Sequence, residues 1–197
     1  MKSVTYWHPV IYKILMKVLF KRNYKRRYLE IANLIENNSS VIDICCGDAQ
    51  LYSFLKNKKI KYTGIDFNNT FLNYLRKKKI NVIHMDINKE DIPIKADYVV
   101  IQSSLYQFIP NHLHIIKKLL EISKKYLIIQ ETVVSYTSSS NFFFSLIGKI
   151  LNNPGDGYKT KRLDKQLLLK ELESMKNKII LKKDFNGYKD ITIVIKK

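Results

Sequence analysis

The sequence predicts an α/β domain in which a mostly parallel sheet is covered by helices on both faces. From Ser40 to Gln130, segments with the period of a strand alternate with helical segments of about 10 to 15 residues, which is typical of βαβ units. The later strands contain uninterrupted apolar runs, such as Val-Val-Ile at 99–101, and these runs are typical of parallel strands buried on both faces. A length of 197 residues is enough for one such domain with a short appendage.

The first predicted element is a long helix. Apolar residues recur with a spacing near 3.6 from Pro9 to Arg27, and the pattern continues helically to Ile35 before Asn37-Asn38-Ser39 interrupts it. We therefore predict an N-terminal helical cap at 1–38 and a main domain at 39–197. A second stripe on the helix consists of lysines at every fourth position, namely Lys13, Lys17, Lys21 and Lys25.

The main domain begins where the hydrophobic period changes from that of a helix to that of a strand. The helices predicted in its first part are 49–58, 68–79 and 110–123, with Pro110 suited to a first helical turn. Strands connected by helices pair in parallel through right-handed crossovers. The strands predicted here are 40–45, 61–66, 81–85, 96–101 and 125–130.

The last third of the chain is less regular. Residues 132–160 are rich in Ser and Asn and are predicted to form an insertion. A helix predicted at 163–175 is followed by two strands, 178–182 and 190–196. Because the turn-forming region around Asn186-Gly187 is short, we expect these two strands to be antiparallel.

The charge of the chain is strongly positive, with 35 Lys and Arg against 17 Asp and Glu and a net charge of +18. Such a surplus points to nucleic acid or an anionic membrane as a partner. A compositional origin competes with this interpretation, because 30 Lys, 27 Ile and 16 Asn share AT-rich codons. Arginine, the better reader of phosphate and guanine, occurs only five times.

The two cysteines, Cys45 and Cys46, are adjacent, so they provide no disulfide framework, and nothing in the sequence has the spacing of zinc ligands. This cysteine usage fits a reducing compartment, and lysines interrupt any apolar signal-peptide region near the N-terminus. We therefore expect a cytoplasmic protein, with a peripheral position at the membrane surface as the alternative.

Four groups of residues mark the carboxyl ends of the predicted strands. Asp43-Ile-Cys-Cys-Gly-Asp-Ala49 follows the first strand, where small residues let the backbone approach a ligand. Asp66 ends the second strand about 20 residues further on, where a carboxylate can accept both hydroxyls of a ribose. Asp86 and Gln102 end the third and fourth strands, so all four groups meet at the edge where open α/β sheets bind ligands.

These motifs resemble those of the class I S-adenosylmethionine-dependent methyltransferases. The segment D-I-C-C-G-D-A is similar to their glycine-rich first motif, with Cys45 in place of the first glycine and Ala49 in place of the third. A positive φ at Cys45 would be strained, since left-handed backbone favours glycine. The resemblance implies a Rossmann-like, doubly wound sheet of seven strands with the last strand antiparallel. It also implies S-adenosyl-L-methionine as the methyl donor and S-adenosyl-L-homocysteine as the product.

The resemblance also implies a role for each site residue. Asp43 and Gly47 would line the methionine moiety, with backbone from Cys45 and Cys46. Asp66, with Phe67 beside it, would bind the ribose hydroxyls. Three further residues along the edge would bind the methyl donor, namely Asp86 at the adenine amine, Ile87 through its backbone N–H, and Gln102 near the methionine end.

The sequence favours a small-molecule or lipid-like acceptor over nucleic acid. Amino-methylating nucleic-acid enzymes of the family carry N/D-P-P-Y after the fourth strand, where this chain reads Gln102-Ser-Ser-Leu105. No cysteine nucleophile for cytosine and no acidic metal triad follows that strand. The alternative is a degenerate methyltransferase-fold binding protein, or a nucleic-acid-directed enzyme that uses the basic surface.

The acceptor pocket is expected between the N-terminal helix and the insertion at 132–160, which would lie on the substrate side. We predict His8 as a general base and Tyr106, which projects after the fourth strand, as a second catalytic residue. The plainer alternatives are a surface or helix-entry position for His8 and a packing role for Tyr106. Aromatic and polar lining is expected from Tyr6, Trp7, Tyr12, Glu131, Tyr136, 142–144 and 153–158.

Residues 9–27 have the pattern of a helix that lies on a membrane surface. Residues 1–30 carry eight Lys or Arg and one acid, so this end has a net charge of 8 − 1 = +7. The segment could dock on anionic lipid, or it could simply pack on the domain as a cap. The sequence does not indicate an oligomeric state. The apolar stripe consists of Val10, Ile11, Ile14, Leu15, Val18 and Leu19.

Overall fold

The computed structural model describes residues 8–20, 23–133, 163–185 and 190–197. Within these ranges seven strands form one mixed sheet in the order β3-β2-β1-β4-β5-β7-β6. The strands are β1 (Ser40–Ile44), β2 (Lys61–Asp66), β3 (Val82–His84), β4 (Ala96–Gln102), β5 (Ser123–Thr132), β6 (Ile179–Phe185) and β7 (Asp190–Lys196).

The strand directions confirm the predicted sheet. β1 to β5 are parallel to their neighbours, β7 runs antiparallel to β5, and β6 runs antiparallel to β7. The strand order reverses between β1 and β4, which opens a crevice at the carboxyl ends of these two strands. The predicted candidate residues after both strands therefore lie at the topological switch point.

Six α-helices flank the sheet in the described ranges, and none of them is long and apolar enough to cross a bilayer. The helix predicted over 9–27 corresponds to α1, which is described as far as Phe20, and to the first part of α2, which is described from Asn23. The helix predicted from Pro110 starts at His112, and the one predicted over 163–175 continues from Leu172 as a 3₁₀ helix. The helices are α1 (Pro9–Phe20), α2 (Asn23–Leu34), α3 (Gln50–Leu55), α4 (Asn69–Lys77), α5 (His112–Ile122) and α6 (Lys165–Glu171).

The core has one apolar layer on each face of the sheet. Ile42 and Ile44 of β1 face the layer that α5 covers, whereas Val41 faces the other layer, as the two-residue period of a strand requires. The second layer receives Ile31 from α2, so the N-terminal part of the chain shares the core of the main domain. Residues 134–162, which include most of the predicted insertion, lie outside the described residues.

Gly64 of β2 makes room for the loop that follows β1. A Cβ atom built on Gly64 would lie 2.7 Å from Cys46 Sγ and 3.2 Å from Cys46 Cβ. It would also lie 3.3 Å from the Tyr62 hydroxyl oxygen. Because real Cβ atoms do not approach other atoms so closely, any side chain here would push the loop away from β2.

We expect Gly64→Ala to lower the free energy of unfolding by about 1–3 kcal/mol, because the added methyl group overpacks the site. Urea unfolding of the purified protein measures the change. The same substitution in a Cys46→Ala background should cost less, since the nearest atom is then absent. Equal costs in both backgrounds, or no cost in either, would contradict this account of Gly64.

Candidate functional site

The loop after β1 has an unusual backbone. Cys45, Gly47 and Ala49 have φ angles of 53°, 52° and 49°, which lie in the left-handed region. For the two non-glycine residues this conformation costs of order 1–3 kcal/mol each, and such strain persists only where the surroundings hold it. The strain expected for a cysteine in place of the first glycine is therefore present. A loop with this strained backbone needs hydrogen-bond partners that hold its backbone N–H groups in place.

Asp66, at the end of β2, supplies much of that support. Its carboxylate accepts the Gly47 N–H at 2.8 Å and the Asn68 N–H at 2.9 Å. The Cys46 N–H donates to the Ile65 carbonyl at 3.1 Å, which ties the loop to the same strand. The Phe67 N–H also acts on this carboxylate, and because a carboxylate has about four lone-pair sites, Asp66 retains acceptor capacity for a further donor such as a hydroxyl of a diol.

Burial weakens the acidity of the carboxyl groups around this loop. Burial raises the pKa of Asp43 to about 7, against the opposing effect of the Tyr62 hydroxyl, which donates to Asp43 Oδ2 at 2.7 Å. Burial also raises the pKa of Asp66, although backbone N–H groups counteract it. The pKa of Asp48 is raised to about 6 by burial, and the charge of Lys13 opposes this shift. The loop is thus a cluster of acids that are costly to ionise together.

The next two strand ends extend this edge. Asp86, after β3, is half-buried, and its carboxylate accepts the Asn88 N–H at 3.1 Å and lies 3.2 Å from Lys89 Nζ. Ile87 is buried, and Phe67 is half-buried beside Asp66. Gln102, at the end of β4, donates from Nε2 to Gln130 Oε1 of β5 at 2.7 Å. All the residues predicted to bind the methyl donor therefore lie at or just after the carboxyl ends of β1 to β4, along one edge of the sheet.

The N-terminal helix α1 covers the loop. A Cβ atom built on Gly47 would lie 3.9 Å from Tyr12 Cε1, so the Tyr12 ring faces the glycine across an ordinary contact distance. The same ring packs edge-on against Phe71 of α4, with 5.4 Å between centroids. Burial raises the pKa of the Tyr12 phenol, as do the nearby Asp48 and Tyr106. Tyr12 therefore lies near Asp48 and Tyr106.

Arg27 of α2 lies at the edge of the candidate site and was not predicted from the sequence. It is buried, its Nε lies 3.0 Å from Asp190 Oδ2, and its guanidinium donates to the Ser103 hydroxyl in the loop after β4. Thr132 completes the group by donating to Asp190 Oδ1 at 2.7 Å. The helical spacing of Tyr24, Arg27 and Ile31 was a usable signal, because it places the arginine on the buried face of the helix.

The two predicted catalytic residues lie in different surroundings. Tyr106 is buried in the 3₁₀ turn that follows β4, and the buried carboxylate of Glu131 holds this turn by accepting the Leu105 N–H at 2.8 Å. His8 is exposed, and its Nδ1 accepts the Val10 N–H at 3.2 Å at the start of α1. The predicted lining residues outside the described ranges are Tyr6, Trp7, Tyr136, 142–144 and 153–158.

Comparison with known proteins gives one family. The family model described as methionine biosynthesis protein MetW matches residues 25–137, which is more than half of the chain. This range begins in α2 and contains β1 to β5 with all four strand ends of the site. No curated protein matches the sequence.

Solved structures show the same fold at low sequence identity. A chain of the complex between the Haloferax volcanii Trm112 methyltransferase activator and its candidate methyltransferase has a TM-score of 0.69 at 11% identity, covering 100% of this chain and 98% of that chain. An S-adenosylmethionine-dependent methyltransferase from Clostridium acetobutylicum has a TM-score of 0.63 at 17% identity, with 93% and 96% covered. The plantazolicin methyltransferase BamL has a TM-score of 0.64 at 17% identity, with 89% and 72% covered. The fold is that of the class I methyltransferases, as the resemblance predicted.

The raised pKa of Asp43 predicts a pH dependence of stability. Between its ordinary value of 3.8 and about 7, the folded protein holds a proton that the unfolded chain has lost. The stability that this proton contributes is present below about pH 4 and is lost as the pH rises through about 7, by up to about 4 kcal/mol. Asp43→Asn should remove this loss and keep an acceptor for Tyr62, so its free energy of unfolding should exceed that of the wild type at pH 8 and converge with it near pH 4.

Asp97→Asn is the matched control. Hydrogen bonds from the Ser40 hydroxyl and N–H lower the pKa of Asp97, so this substitution should destabilise the protein above pH 4. Urea unfolding across the pH range measures both variants. An Asp43→Asn curve parallel to the wild-type curve at every pH would show that Asp43 does not titrate as described.

Proposed function

The chain belongs to the family of the methionine biosynthesis protein MetW, and from this premise we propose that it is an S-adenosylmethionine-dependent methyltransferase acting on a small-molecule or lipid-like acceptor. The single observation that carries the proposal is the carboxylate of Asp66, which fixes the loop after β1 and keeps acceptor capacity at the end of β2. A ribose diol placed there would donate a hydroxyl to this buried carboxylate.

The residues of the edge fit this donor. Asp66 would hold the ribose, whereas Asp86 and the Ile87 N–H would face the adenine. Asp43 and the backbone of Cys45 to Gly47 would face the methionine moiety. A cationic ammonium beside Asp43 would lower the raised pKa of that carboxyl, so binding and ionisation would support each other. The acids around the loop thus suit a ligand that carries positive charge.

Methyl transfer from a sulfonium depends on the alignment of the reacting atoms more than on proton transfer. Bound S-adenosylmethionine supplies a methyl group already activated on a sulfonium, which an acceptor atom can take by in-line displacement. Tyr12 shields the loop from water, and Ser103 and Tyr106 border the same side of the sheet edge. A base is needed only for an acceptor that must lose a proton, and His8 stays our proposal for that role.

The residues just beyond the end of β4 bear on the chemical class of the methyl acceptor. Gln102 and Ser103 bond to Gln130 and Arg27, and the sequence there lacks the Pro-Pro signature of amino-methylating nucleic-acid enzymes. The aromatic side chains of Tyr12 and Tyr106 lie near each other on this side of the sheet edge. These features support a small or lipid-like acceptor. One protein of this fold is the plantazolicin methyltransferase BamL, whose solved structure is a complex with a triazolic desmethylPZN analogue and S-adenosylhomocysteine.

Asp66→Asn should weaken the binding of S-adenosylhomocysteine by about 1–3 kcal/mol, because the amide loses the charged hydrogen bonds to the ribose. Isothermal titration calorimetry at neutral pH measures this. Asp91→Asn removes the same charge at a side chain that is fully exposed, and it should leave the affinity unchanged. A folded wild-type protein that gives no heat with either the donor or its demethylated product would overturn the proposed function in favour of a degenerate binding protein.

Kinetic measurements separate the roles proposed for His8 and Tyr106. We expect His8→Ala to lower kcat by about 10²- to 10⁴-fold for a phenolic or ammonium acceptor, without changing donor affinity. Tyr106→Phe keeps the ring and tests the hydroxyl alone. Transfer of labelled methyl to a panel of small phenols and amines gives the rates. An unchanged kcat for His8→Ala would remove the base and leave His8 with its observed bond at the start of α1.

A further inference from the structure

The outer face of α1 exposes a continuous apolar stripe. Successive helical residues are rotated by about 100°, so four aliphatic residues of α1 fall within a sector of about 100° on one side. Their exposed fractions run from 39% to 63%, which is unusual for side chains of this kind. Singly exposed aliphatic residues need no explanation, but a row on one helix face does. We call this row the outer stripe, and it consists of Val10, Ile11, Ile14 and Val18.

The other side of α1 is occupied by the domain. Tyr12 contacts Phe71 and faces Gly47, and Phe20 is buried with the Arg27 guanidinium 3.8 Å from its ring centroid. The helix therefore needs none of the outer stripe to hold its place on the domain. Of the apolar residues predicted to form one stripe on this helix, the four of the outer stripe are exposed and Leu15 is half-buried.

Positive charge accompanies the outer stripe. α1 contains no acidic residue from Pro9 to Phe20. Lys17 is exposed one residue from Val18, and Lys25 is exposed in the first turns of α2. Lys13 is half-buried and acts on Asp48, so it belongs to the site side of the helix. An apolar row beside exposed lysines is the pattern of a helix that lies in the headgroup region of an anionic bilayer.

We propose that α1 docks the protein on an anionic lipid surface through the outer stripe and Lys17. A second copy of the chain is a poor occupant, because each copy carries a net charge of +18 and the two would repel each other. Negatively charged headgroups match both the sign of the charge and the narrow apolar row. The inference is independent of the donor chemistry, since the inner and outer faces of α1 carry different residues.

Docking would place the candidate site at the lipid surface. Because Tyr12 of the same helix faces Gly47, the covered loop would lie directly behind the membrane-facing helix. A lipid-like acceptor could then reach the edge of the sheet without crossing water. This consequence joins the outer stripe to the acceptor class proposed above, but the docking itself does not depend on it.

Co-sedimentation with vesicles tests the docking, using phosphatidylcholine alone and phosphatidylcholine with added phosphatidylglycerol. We expect binding to the anionic vesicles only. Ile14→Ser with Val18→Ser should weaken it by at least about tenfold, through loss of buried apolar area. Leu29→Ser with Ile180→Ser is the matched control, because these aliphatic residues are similarly exposed at 45% and 56% but lie outside α1.

The charge contribution has its own pair of variants. Lys17→Gln should weaken binding about fivefold, whereas Lys124→Gln, at the opposite edge of the sheet, should have little effect. Equal losses for the stripe and control pairs, or no binding to either vesicle, would overturn the proposal. A concentration-dependent dimer in sedimentation velocity that the stripe pair abolishes would overturn it in favour of a second copy. Calorimetry with S-adenosylhomocysteine on the same variants reports separately on the proposed function.

Discussion

The structure depends on one carboxylate that serves two neighbouring strands. Asp66 accepts the N–H of Gly47 in the loop after β1 and the N–H of Asn68 at the start of α4. These bonds offset the strain of a loop with three left-handed residues, two of which carry side chains. The bare Cα of Gly64 admits Cys46 at the same place. Strand pairing, loop shape and ligand capacity are thus tied to a single side chain, which explains why the loop functions without the glycines usual at its first and third positions.

The N-terminal helices close the site by polar as well as apolar contacts. The buried Arg27 joins α2 to the buried Asp190 of β7 and to the half-buried Ser103 after β4. Removing one partner of such a buried pair leaves an uncompensated charge, so the pair fixes where α2 sits even if it adds little net stability. The position of α1 and its Tyr12 above Gly47 follows from this anchor. The helical segment is therefore part of the site rather than an attachment to it.

The sequence predicted the sheet because its signals are local. Apolar alternation, connecting helices and strand-end acids all lie within a few residues of the feature that they indicate, and the number and directions of the strands agreed with the prediction. The end of β5 was not predictable in this way, since Glu131 and Thr132 read as polar loop and become buried only by pairing with β7, 60 residues away in the chain. Arg27 illustrates the same limit. Its partners lie on β7 and after β4, and no sequence pattern near position 27 predicts them.

The distribution of charge separates the site from the rest of the surface. A protein with a net charge of +18 nevertheless gathers acids at the carboxyl edge of its sheet, and the arginine buried there is opposed by Asp190. Lys13 and Lys78 act on Asp48 at this edge, but most of the positive surplus lies elsewhere, and a polyanion drawn to the surface would meet a cluster of acids at the edge itself. A sulfonium donor with an ammonium group meets attraction instead, which weighs against nucleic acid as the acceptor despite the pI of 9.7. The acids concerned are Asp43, Asp48, Asp66, Asp86 and Glu131.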